Sequence, residues 1–172
     1  MPLNSGILSK HVNPVFVETG TYQCEAVELA IKLGFKTIHT IEWDPGMAKA
    51  AKARYVSNPA VHTYMGDSAD QLIPIVQGLT QPTTFWLDAH PLVTPMPLFT
   101  PCFPLLREIL VLSRFLPNIP CTILMDDMRT FSAKELEMLV FAMKQLWPNA
   151  QHEFYSDHVA TNDVYCCNIP KG

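Results

Sequence analysis

The fold of this chain is decided by one stretch near its start, Val15-Phe-Val-Glu-Thr-Gly-Thr-Tyr-Gln-Cys-Glu25. Its first three residues form a short apolar run that favours a buried strand. Gly20 then allows the positive φ, or the close backbone approach, that a sharp turn from strand to helix requires. From Tyr22 the pattern predicts a helix, and Gly34 stands where a C-cap glycine belongs. Strand, glycine turn and helix N-terminus together make a place for a small polar group, usually an anion.

Glu42 supplies a second signal for ligand binding. It ends the next predicted strand, 22 residues after Gly20 (42 − 20). At that position an acidic side chain can accept hydrogen bonds from both hydroxyls of a ribose. Taken alone, Gly20 is explained equally well by a simple turn. The pairing with Glu42 favours an adenosine-type cofactor.

The composition is that of an ordinary globular protein. The 172 residues are 48% hydrophobic and 16% charged, which fits one domain over residues 1–172 with a sizeable core and excludes a disordered chain. The net charge is −4, and the Lys and Arg residues are scattered along the chain. Because the basic stripe of a nucleic-acid binder is missing from this pattern, we expect no nucleic-acid partner.

Cysteine usage and hydropathy bear on the cellular compartment. The five cysteines are odd in number and lack CxxC spacing, which favours a reduced protein inside the cell. The N-terminus shows no basic segment followed by an apolar run, and no apolar run approaches the ~20 residues that span a bilayer. We therefore expect a cytoplasmic protein with no membrane partner.

Five strand-then-helix units are predicted, followed by two strands with no helix between them. The predicted strands are apolar or β-branched runs: Val15–Val17, Lys36–Trp43, Val61–Met65, Thr83–His90, Cys121–Met125, Glu153–Ser156 and Val164–Ile169. Helices are expected to begin at Tyr22, at Pro45 after Asp44, at a Ser68–Gln71 capping-box pattern, near Phe103, and at Ser132 with Glu135. Residues 1–14 are expected to form a loop or short lead-in. The pattern predicts an α/β fold, a three-layer Rossmann-like sandwich with a mostly parallel seven-stranded sheet and a C-terminal antiparallel hairpin.

An acidic residue stands at the end of every strand in the βα series. These residues are Glu18, Glu42, Asp67, Asp88 and the pair Asp126 and Asp127. In an open α/β sheet, ligands bind outside the carboxyl ends of the strands, where the strand order switches. Helix capping explains some acids here, as at Asp44, but repetition at five strand ends favours a ligand cleft.

From Val15 to Ile169 the sequence resembles the class I S-adenosylmethionine-dependent methyltransferases, whose fold ends in the same kind of hairpin. The resemblance implies a set of cofactor-binding residues: Glu18, Thr19, Gly20 and Thr21 beside the methionine portion, Glu42 at the ribose, Asp67 and Ser68 at the adenine, and Asp88 at the end of the fourth strand. One departure is Gln23-Cys24, which stands where the family often has a second glycine. A less open cofactor loop would follow from it.

Within that family, Trp86-Leu-Asp-Ala-His90 and Leu124-Met-Asp-Asp127 resemble the divalent-metal-dependent O-methyltransferases. The resemblance implies that Asp88, Asp126 and Asp127 hold a metal. Asp88 and His90 are the candidate catalytic residues, and His90 is a candidate for either a general base or a further ligand at the strand end. Independently, three carboxylates brought together repel one another unless one is protonated or a cation binds, and oxygen ligands suit Mg²⁺ or another hard divalent cation. The alternatives remain open that Asp88 pairs with His90 or a backbone amide and that Asp127 caps a turn.

The function expected from the resemblance is methyl transfer from S-adenosylmethionine to a small molecule, O-directed and assisted by a metal. Two alternatives stay open: an inactive module of the same fold that binds S-adenosylmethionine or a nucleotide, and a metal-dependent hydrolase that uses the acidic cluster. Between the fourth strand and its helix, the segment Pro91–Pro104 holds five prolines among apolar residues. Such a loop receives an apolar substrate or packs against a second subunit of a homodimer, and the sequence does not decide between them.

Overall fold

The computed structural model describes residues 5–89 and 104–171. They contain one seven-stranded sheet in the order β3-β2-β1-β4-β5-β7-β6. The strands are β1 (Val15–Thr19), β2 (Thr37–Glu42), β3 (Val61–Met65), β4 (Thr83–Leu87), β5 (Cys121–Met125), β6 (Gln151–Tyr155) and β7 (Val164–Ile169). The first five strands pair in parallel, and β7 is antiparallel to both β5 and β6. The predicted mostly parallel sheet with a C-terminal antiparallel hairpin is confirmed.

Helices cover both faces of this sheet. They are α1 (Ser5–Leu8), α2 (Glu25–Leu33), α3 (Pro45–Arg54), α4 (Ser68–Gln77), α5 (Leu105–Phe115) and α6 (Ala133–Leu146), with 3₁₀ turns at Ser9–His11 and Met128–Thr130. Among the described residues, no helix is long and apolar enough to cross a membrane.

The sheet divides the apolar core into two halves because successive side chains of a strand point to opposite faces. Every residue of β1, β4 and β5 is buried. On β1, Val15 and Val17 join a core cluster with residues of α4, α5 and α6, such as Leu72 and Leu112. Phe16 joins a second cluster with residues of α1, α2 and α3. The predicted three-layer sandwich is therefore confirmed.

Several predicted helix caps are present. Asp44 accepts a hydrogen bond from the Met47 amide at 2.8 Å and is followed by proline at N1, as expected. Gly34 ends α2 in the left-handed conformation with φ of +86°. Ser132 and Glu135 form a complete capping box at the start of α6. These caps could be predicted from the sequence because the hydrogen bonds of each cap join residues no more than four positions apart.

Three sequence predictions of local structure were wrong. Residues 5–11 are helical instead of forming a loop, because Ile7 and Leu8 bury their side chains in the second core cluster. Helix α2 begins at Glu25 instead of Tyr22, since Tyr22 has φ of +44° and cannot continue a helix.

The third wrong prediction is the capping box at the start of α4. Asp67 is the N-cap, and its Oδ1 accepts from the amides of Ala69 at 3.0 Å and Asp70 at 3.4 Å. Ser68 is already inside the helix, and its hydroxyl donates a hydrogen bond to Glu108. An aspartate at the N-cap position satisfies the free amides of the first turn, so the serine is released for another role.

Candidate functional site

The strand order reverses between β1 and β4, and this is where the candidate site lies. The chain runs outward from β1 through β2 to β3 and then crosses back to β4 on the other side of β1. At this switch point the Asp88 amide donates to the Thr19 carbonyl at 3.1 Å. The carboxyl ends of β1 and β4 thus lie side by side at the place where open α/β sheets bind ligands.

Gly20 is required by both its backbone conformation and its surroundings. It has φ of +85°, and its amide donates to the Ile41 carbonyl at 2.9 Å. A Cβ atom at this position would lie 2.5 Å from the main-chain oxygen of Asp88. Because that neighbour is backbone, it cannot rotate away, so only glycine fits between β1 and β4.

The loop after Gly20 keeps a glycine-like path without a second glycine. Cys24 has φ of +68° and lies in the left-handed region immediately before α2. Its amide donates to the Thr21 carbonyl at 2.8 Å, which closes the turn. The departure Gln23-Cys24 noted in the sequence therefore changes the residue type at this position but preserves a sharp turn. The Cys24 side chain is buried against the second core cluster.

Glu42 connects this loop to the end of β2. Its Oε2 accepts from the Tyr22 amide at 2.8 Å, and its Oε1 accepts from the Asp44 amide at 2.8 Å. The residue is only 9% exposed. A carboxylate has about four acceptor positions, so two remain after these bonds are made. Glu42 is thus held in one orientation and still has acceptor capacity for a diol.

Glu18 lies deeper, in a buried polar network. It is 2% exposed, and its Oε2 accepts from the Thr40 hydroxyl at 2.6 Å. The Thr40 and Thr21 hydroxyls are 2.5 Å apart. Burial is the main cause that raises the pKa of Glu18 to about 8; the Thr40 hydrogen bond opposes this shift, and the neighbouring Asp88 and Glu42 contribute to it. A carboxyl in this state is stabilised as an anion by any cationic group that binds beside it.

Asp67 and Ser68, the predicted adenine-site residues, each have another partner. Besides capping α4, Asp67 pairs through Oδ2 with the Arg107 guanidinium at 2.7 Å. The same guanidinium contacts Asp70 at 3.0 Å. The two residues lie at the carboxyl end of β3, as predicted, and their side chains join α4 to α5. A contact of either residue with a cofactor stays a prediction.

Glu108 is a buried acid of this region that the sequence analysis missed. It is 1% exposed and accepts a hydrogen bond from the Ser68 hydroxyl. Burial raises its pKa to about 7, opposed by hydrogen bonds from Ser68 and Thr19 and reinforced by the nearby Asp67 and Asp88. The signal was present in the sequence, because the spacing of Leu105, Glu108, Ile109 and Leu112 puts an acid on the apolar face of α5.

The acidic pair after β5 faces a third aspartate from the β6–β7 connection. One carboxylate oxygen each of Asp126, Asp127 and Asp163 lies within 4.8 Å of the others. Burial raises the pKa of Asp126 to about 8, and the charges of Asp88 and Asp127 add to this effect. Asp127 adopts a left-handed conformation with φ of +58°, and its amide donates to Asp126 Oδ1 at 2.8 Å.

Arg129 pairs with two of the three aspartates of this cluster. Its guanidinium lies 2.6 Å from Asp127 Oδ1 and also pairs with Asp163, which is fully buried. The Arg129 amide donates to Asp163 at 2.9 Å. A divalent cation would have to displace this guanidinium to reach the oxygens, and Asp88 does not belong to the group of three. The residues present therefore do not fit a divalent metal while Arg129 keeps its ion pairs, and we derive no step through one.

The predicted site residues thus fall into three groups. Those brought together at the switch point are Glu18, Thr19, Gly20, Thr21, Glu42 and Asp88. Asp67 and Ser68 lie one strand further out, at β3, and Asp126 and Asp127 follow β5, where Asp127 pairs with Arg129. His90 and residues 91–103 of the proline-rich loop lie outside the described residues.

No protein-family model and no curated protein matches the sequence of this chain. Its fold, however, is similar to that of solved structures. The O-methyltransferase TomG from Streptomyces achromogenes, involved in tomaymycin synthesis and solved with SAM, is 12% identical, with a TM-score of 0.63 over 96% of this chain and 77% of that one.

Two further solved structures have a similar fold. SMU.1697c, a putative methyltransferase from Streptococcus mutans solved with SAH, is 13% identical, with a TM-score of 0.62 over 95% of this chain and 94% of that one. A spermidine synthase solved with the transition-state analogue AdoDATO is 10% identical, with a TM-score of 0.65 over 98% of this chain and 57% of that one. The chain therefore has the fold of the class I S-adenosylmethionine-dependent methyltransferases.

Proposed function

We propose that this protein is a methyltransferase that moves the methyl group of S-adenosylmethionine to an oxygen atom of a small molecule. The observation that carries the proposal is the arrangement at the switch point. A glycine that nothing larger can replace lies between a buried, high-pKa carboxyl at Glu18 and a firmly oriented carboxylate at Glu42. The free cysteines of the described chain, Cys24, Cys121, Cys166 and Cys167, agree with action in the cytoplasm.

Each residue has a role that follows from its surroundings. Glu42 accepts hydrogen bonds from the ribose hydroxyls with the two acceptor positions that Tyr22 and Asp44 leave free. Glu18 lies beside the methionine portion, whose ammonium and sulfonium charges favour the ionised carboxyl. Thr19 and Thr21 fix the loop on either side of Gly20.

Asp88 is the residue we assign to proton transfer, together with His90. S-adenosylmethionine supplies a methyl group on a positively charged sulfur, which is a strong electrophile. When bound, it would supply this methyl group to the acceptor oxygen and leave as a neutral thioether, with the carbon–sulfur bond exchanged for a carbon–oxygen bond. The acceptor loses its hydroxyl proton, which a carboxylate within hydrogen-bond reach can take. Asp88 adjoins Gly20 at the carboxyl end of β4, which supports its assignment to this step.

Apolar surface at the same edge of the sheet is consistent with an aromatic ligand. Trp43 directly follows Glu42 and is 73% exposed, and Met65 pairs with Glu42 in the β2–β3 register. Large apolar groups exposed beside a polar cleft are typical of binding surfaces. We assign them to contact with the adenine ring or with an apolar acceptor.

Binding without catalysis is the second candidate. It is favoured by Arg129, whose guanidinium pairs with Asp127 and Asp163 and so opposes the metal binding that the sequence suggested. Metal assistance through Asp88, Asp126 and Asp127 stays a prediction, and the ion pairs of Arg129 count against it.

Calorimetric titration with S-adenosylhomocysteine, followed by transfer assays with radiolabelled S-adenosylmethionine and a panel of small hydroxyl compounds, tests the proposal. Binding with transfer supports the methyltransferase. Binding without transfer to any acceptor, in the presence or absence of Mg²⁺, supports the binding module. Failure to bind S-adenosylhomocysteine would overturn both candidates.

A further inference from the structure

Four polar side chains of metal-ligand type converge on the sheet face that α1 and α2 cover. His11 Nε2 lies 3.0 Å from the Tyr155 hydroxyl and 3.9 Å from Cys166 Sγ. One ligand atom each from His11, Glu153 and Cys166 lies within 4.8 Å of the other two. None of these residues belongs to the candidate site at the switch point, so this cluster has no role in the function proposed above.

The backbone fixes all three groups in place. Glu153 on β6 and Cys166 on β7 are direct partners in the antiparallel register, so their Cβ atoms lie about 5 Å apart. Cys166 is fully buried in the second core cluster. The His11 carbonyl accepts a hydrogen bond from the Thr84 hydroxyl on β4, which holds the end of the 3₁₀ turn against the sheet. The cluster is therefore preorganised by strand pairing and does not depend on a mobile loop.

The separation of His11 Nε2 and Cys166 Sγ suits a tetrahedral metal. Zinc binds imidazole nitrogen at about 2.0–2.1 Å and thiolate sulfur at about 2.3 Å, so the two atoms lie about 3.6 Å apart at a tetrahedral angle. The observed separation between His11 Nε2 and Cys166 Sγ, 3.9 Å, is close to this value. Nitrogen, sulfur and carboxylate oxygen together form a ligand set that zinc prefers and that magnesium or calcium does not.

We propose that His11, Glu153 and Cys166 form a structural zinc site that joins the amino-terminal segment to the β6–β7 hairpin. Tyr155 or a water molecule takes the fourth position. The thiol of Cys166 releases its proton to solvent when the metal binds. Glu153 is exposed and His11 is half-buried, so the ion has a path from solvent, while Cys166 closes the site from beneath.

The positive charge of Lys10 is expected to weaken zinc binding at this site. Its ammonium lies over the Tyr155 ring, 4.8 Å from the centroid. A positive charge so close to a bound cation reduces its affinity. Replacing Lys10 with Met removes the charge and keeps most of the side-chain length, so Lys10→Met is expected to tighten zinc binding severalfold.

Cobalt substitution gives a direct test, because a cobalt–thiolate bond produces an absorption band in the near ultraviolet. We expect the full chain to show this band and to bind zinc, measured by competition with a chromophoric chelator, with a Kd below about 1 μM. Cys166→Ala is expected to abolish the band. Cys167→Ala is the matched control, because Cys167 is equally buried on the same strand but points to the opposite face.

Two variants at less buried ligands keep the test valid if Cys166→Ala does not fold. His11→Gln and Glu153→Gln leave the core unchanged, and each is expected to weaken zinc binding at least tenfold while the thiolate band is retained at high cobalt concentration. The proposal is overturned if the wild type binds zinc no more tightly than about 100 μM. It is also overturned if Cys167→Ala loses the cobalt band as Cys166→Ala does, or if the two glutamine variants bind zinc as the wild type does.

Discussion

The main-chain amide of Tyr22 donates a hydrogen bond to the side chain of Glu42 at 2.8 Å. This bond joins the loop after β1 to the end of β2 across a separation of 20 residues in the chain. The second carboxylate oxygen is held in the same way by the Asp44 amide. One acidic side chain therefore shapes the turn that follows Gly20 and presents its remaining acceptor positions to the ligand we propose.

Glu42→Ala is expected to weaken S-adenosylhomocysteine binding by about 1–3 kcal/mol, because ligand hydroxyls and two backbone amides lose their acceptor. Isothermal titration calorimetry measures the change. Asp44→Ala is the matched control, since it removes the cap of α3 and leaves the Asp44 amide bonded to Glu42. The control is expected to lower helix stability by about 1 kcal/mol with little change in affinity. Equal affinities for the two variants would contradict the ribose assignment.

Gly20 and Gly34 have almost the same backbone conformation but different surroundings. Substitutions at the two positions therefore distinguish the cost of backbone strain from the cost of a steric clash. Gly20 and Gly34 have φ of +85° and +86°, but a Cβ at Gly34 meets nothing within 4 Å, whereas one at Gly20 meets the Asp88 carbonyl at 2.5 Å. Gly34→Ala is expected to cost about 1–2 kcal/mol of unfolding free energy from backbone strain alone. Gly20→Ala is expected to cost more and to abolish S-adenosylhomocysteine binding, measured by urea denaturation and calorimetry.

The result that would contradict this interpretation is a Gly20→Ala variant as stable as Gly34→Ala. Normal ligand binding by Gly20→Ala would likewise remove Gly20 from the cofactor site. Because both substitutions add the same methyl group at the same backbone angle, a difference between them measures the contact with Asp88.

How much of this structure the sequence predicts depends on the range of the interactions. Strands β3, β5 and β7 were predicted with correct bounds, because each is a continuous apolar or β-branched run that can be recognised from neighbouring residues alone. Caps at Asp44 and Ser132 are satisfied within three residues and were predicted too.

Interactions between distant residues escaped prediction. Arg129 and Asp163 are 34 residues apart, and nothing in the sequence indicates that a basic residue after β5 meets an acid from the β6–β7 connection. As a result, Asp126 and Asp127 suggested a metal site, because the sequence did not show that Arg129 pairs with Asp127. Glu108 differs, because an acid on the apolar face of a helix is a signal that the sequence contains.

The stability of the ligand-free protein is expected to fall as pH rises from about 6.5 to about 8. Burial raises the pKa of Glu18 from 4.5 to about 8, so the folded state binds more protons than the unfolded state in this range. Unfolding free energy then decreases with pH, at up to about 1.4 kcal/mol per pH unit for one group. Glu108 and Asp126 act in the same direction.

Glu18→Gln isolates the contribution of one group, since the amide oxygen still accepts from Thr40 and does not titrate. Urea denaturation at several pH values is expected to give a shallower slope for this variant than for the wild type. Identical slopes would mean that Glu18 is ionised in the folded protein without a ligand.

The last prediction concerns the guanidinium of Arg129, which contacts Asp127 and Asp163 where the sequence suggested a metal. Arg129→Met keeps the main-chain amide that donates to Asp163 but removes the guanidinium, so the buried carboxylate loses its counter-charge at an expected cost of about 3–5 kcal/mol. The carboxylates of Asp126, Asp127 and Asp163 then lack a cation, and Mg²⁺ is expected to raise the Tm of this variant above the value in Na⁺ at matched ionic strength. The wild type is expected to show no such difference between the two salts, and Arg129→Lys, which keeps the charge, should resemble it. A wild-type Tm that rises with Mg²⁺ but not with matched Na⁺ would show that a metal binds despite Arg129, and the metal-assisted mechanism through Asp88, Asp126 and Asp127 would be favoured instead.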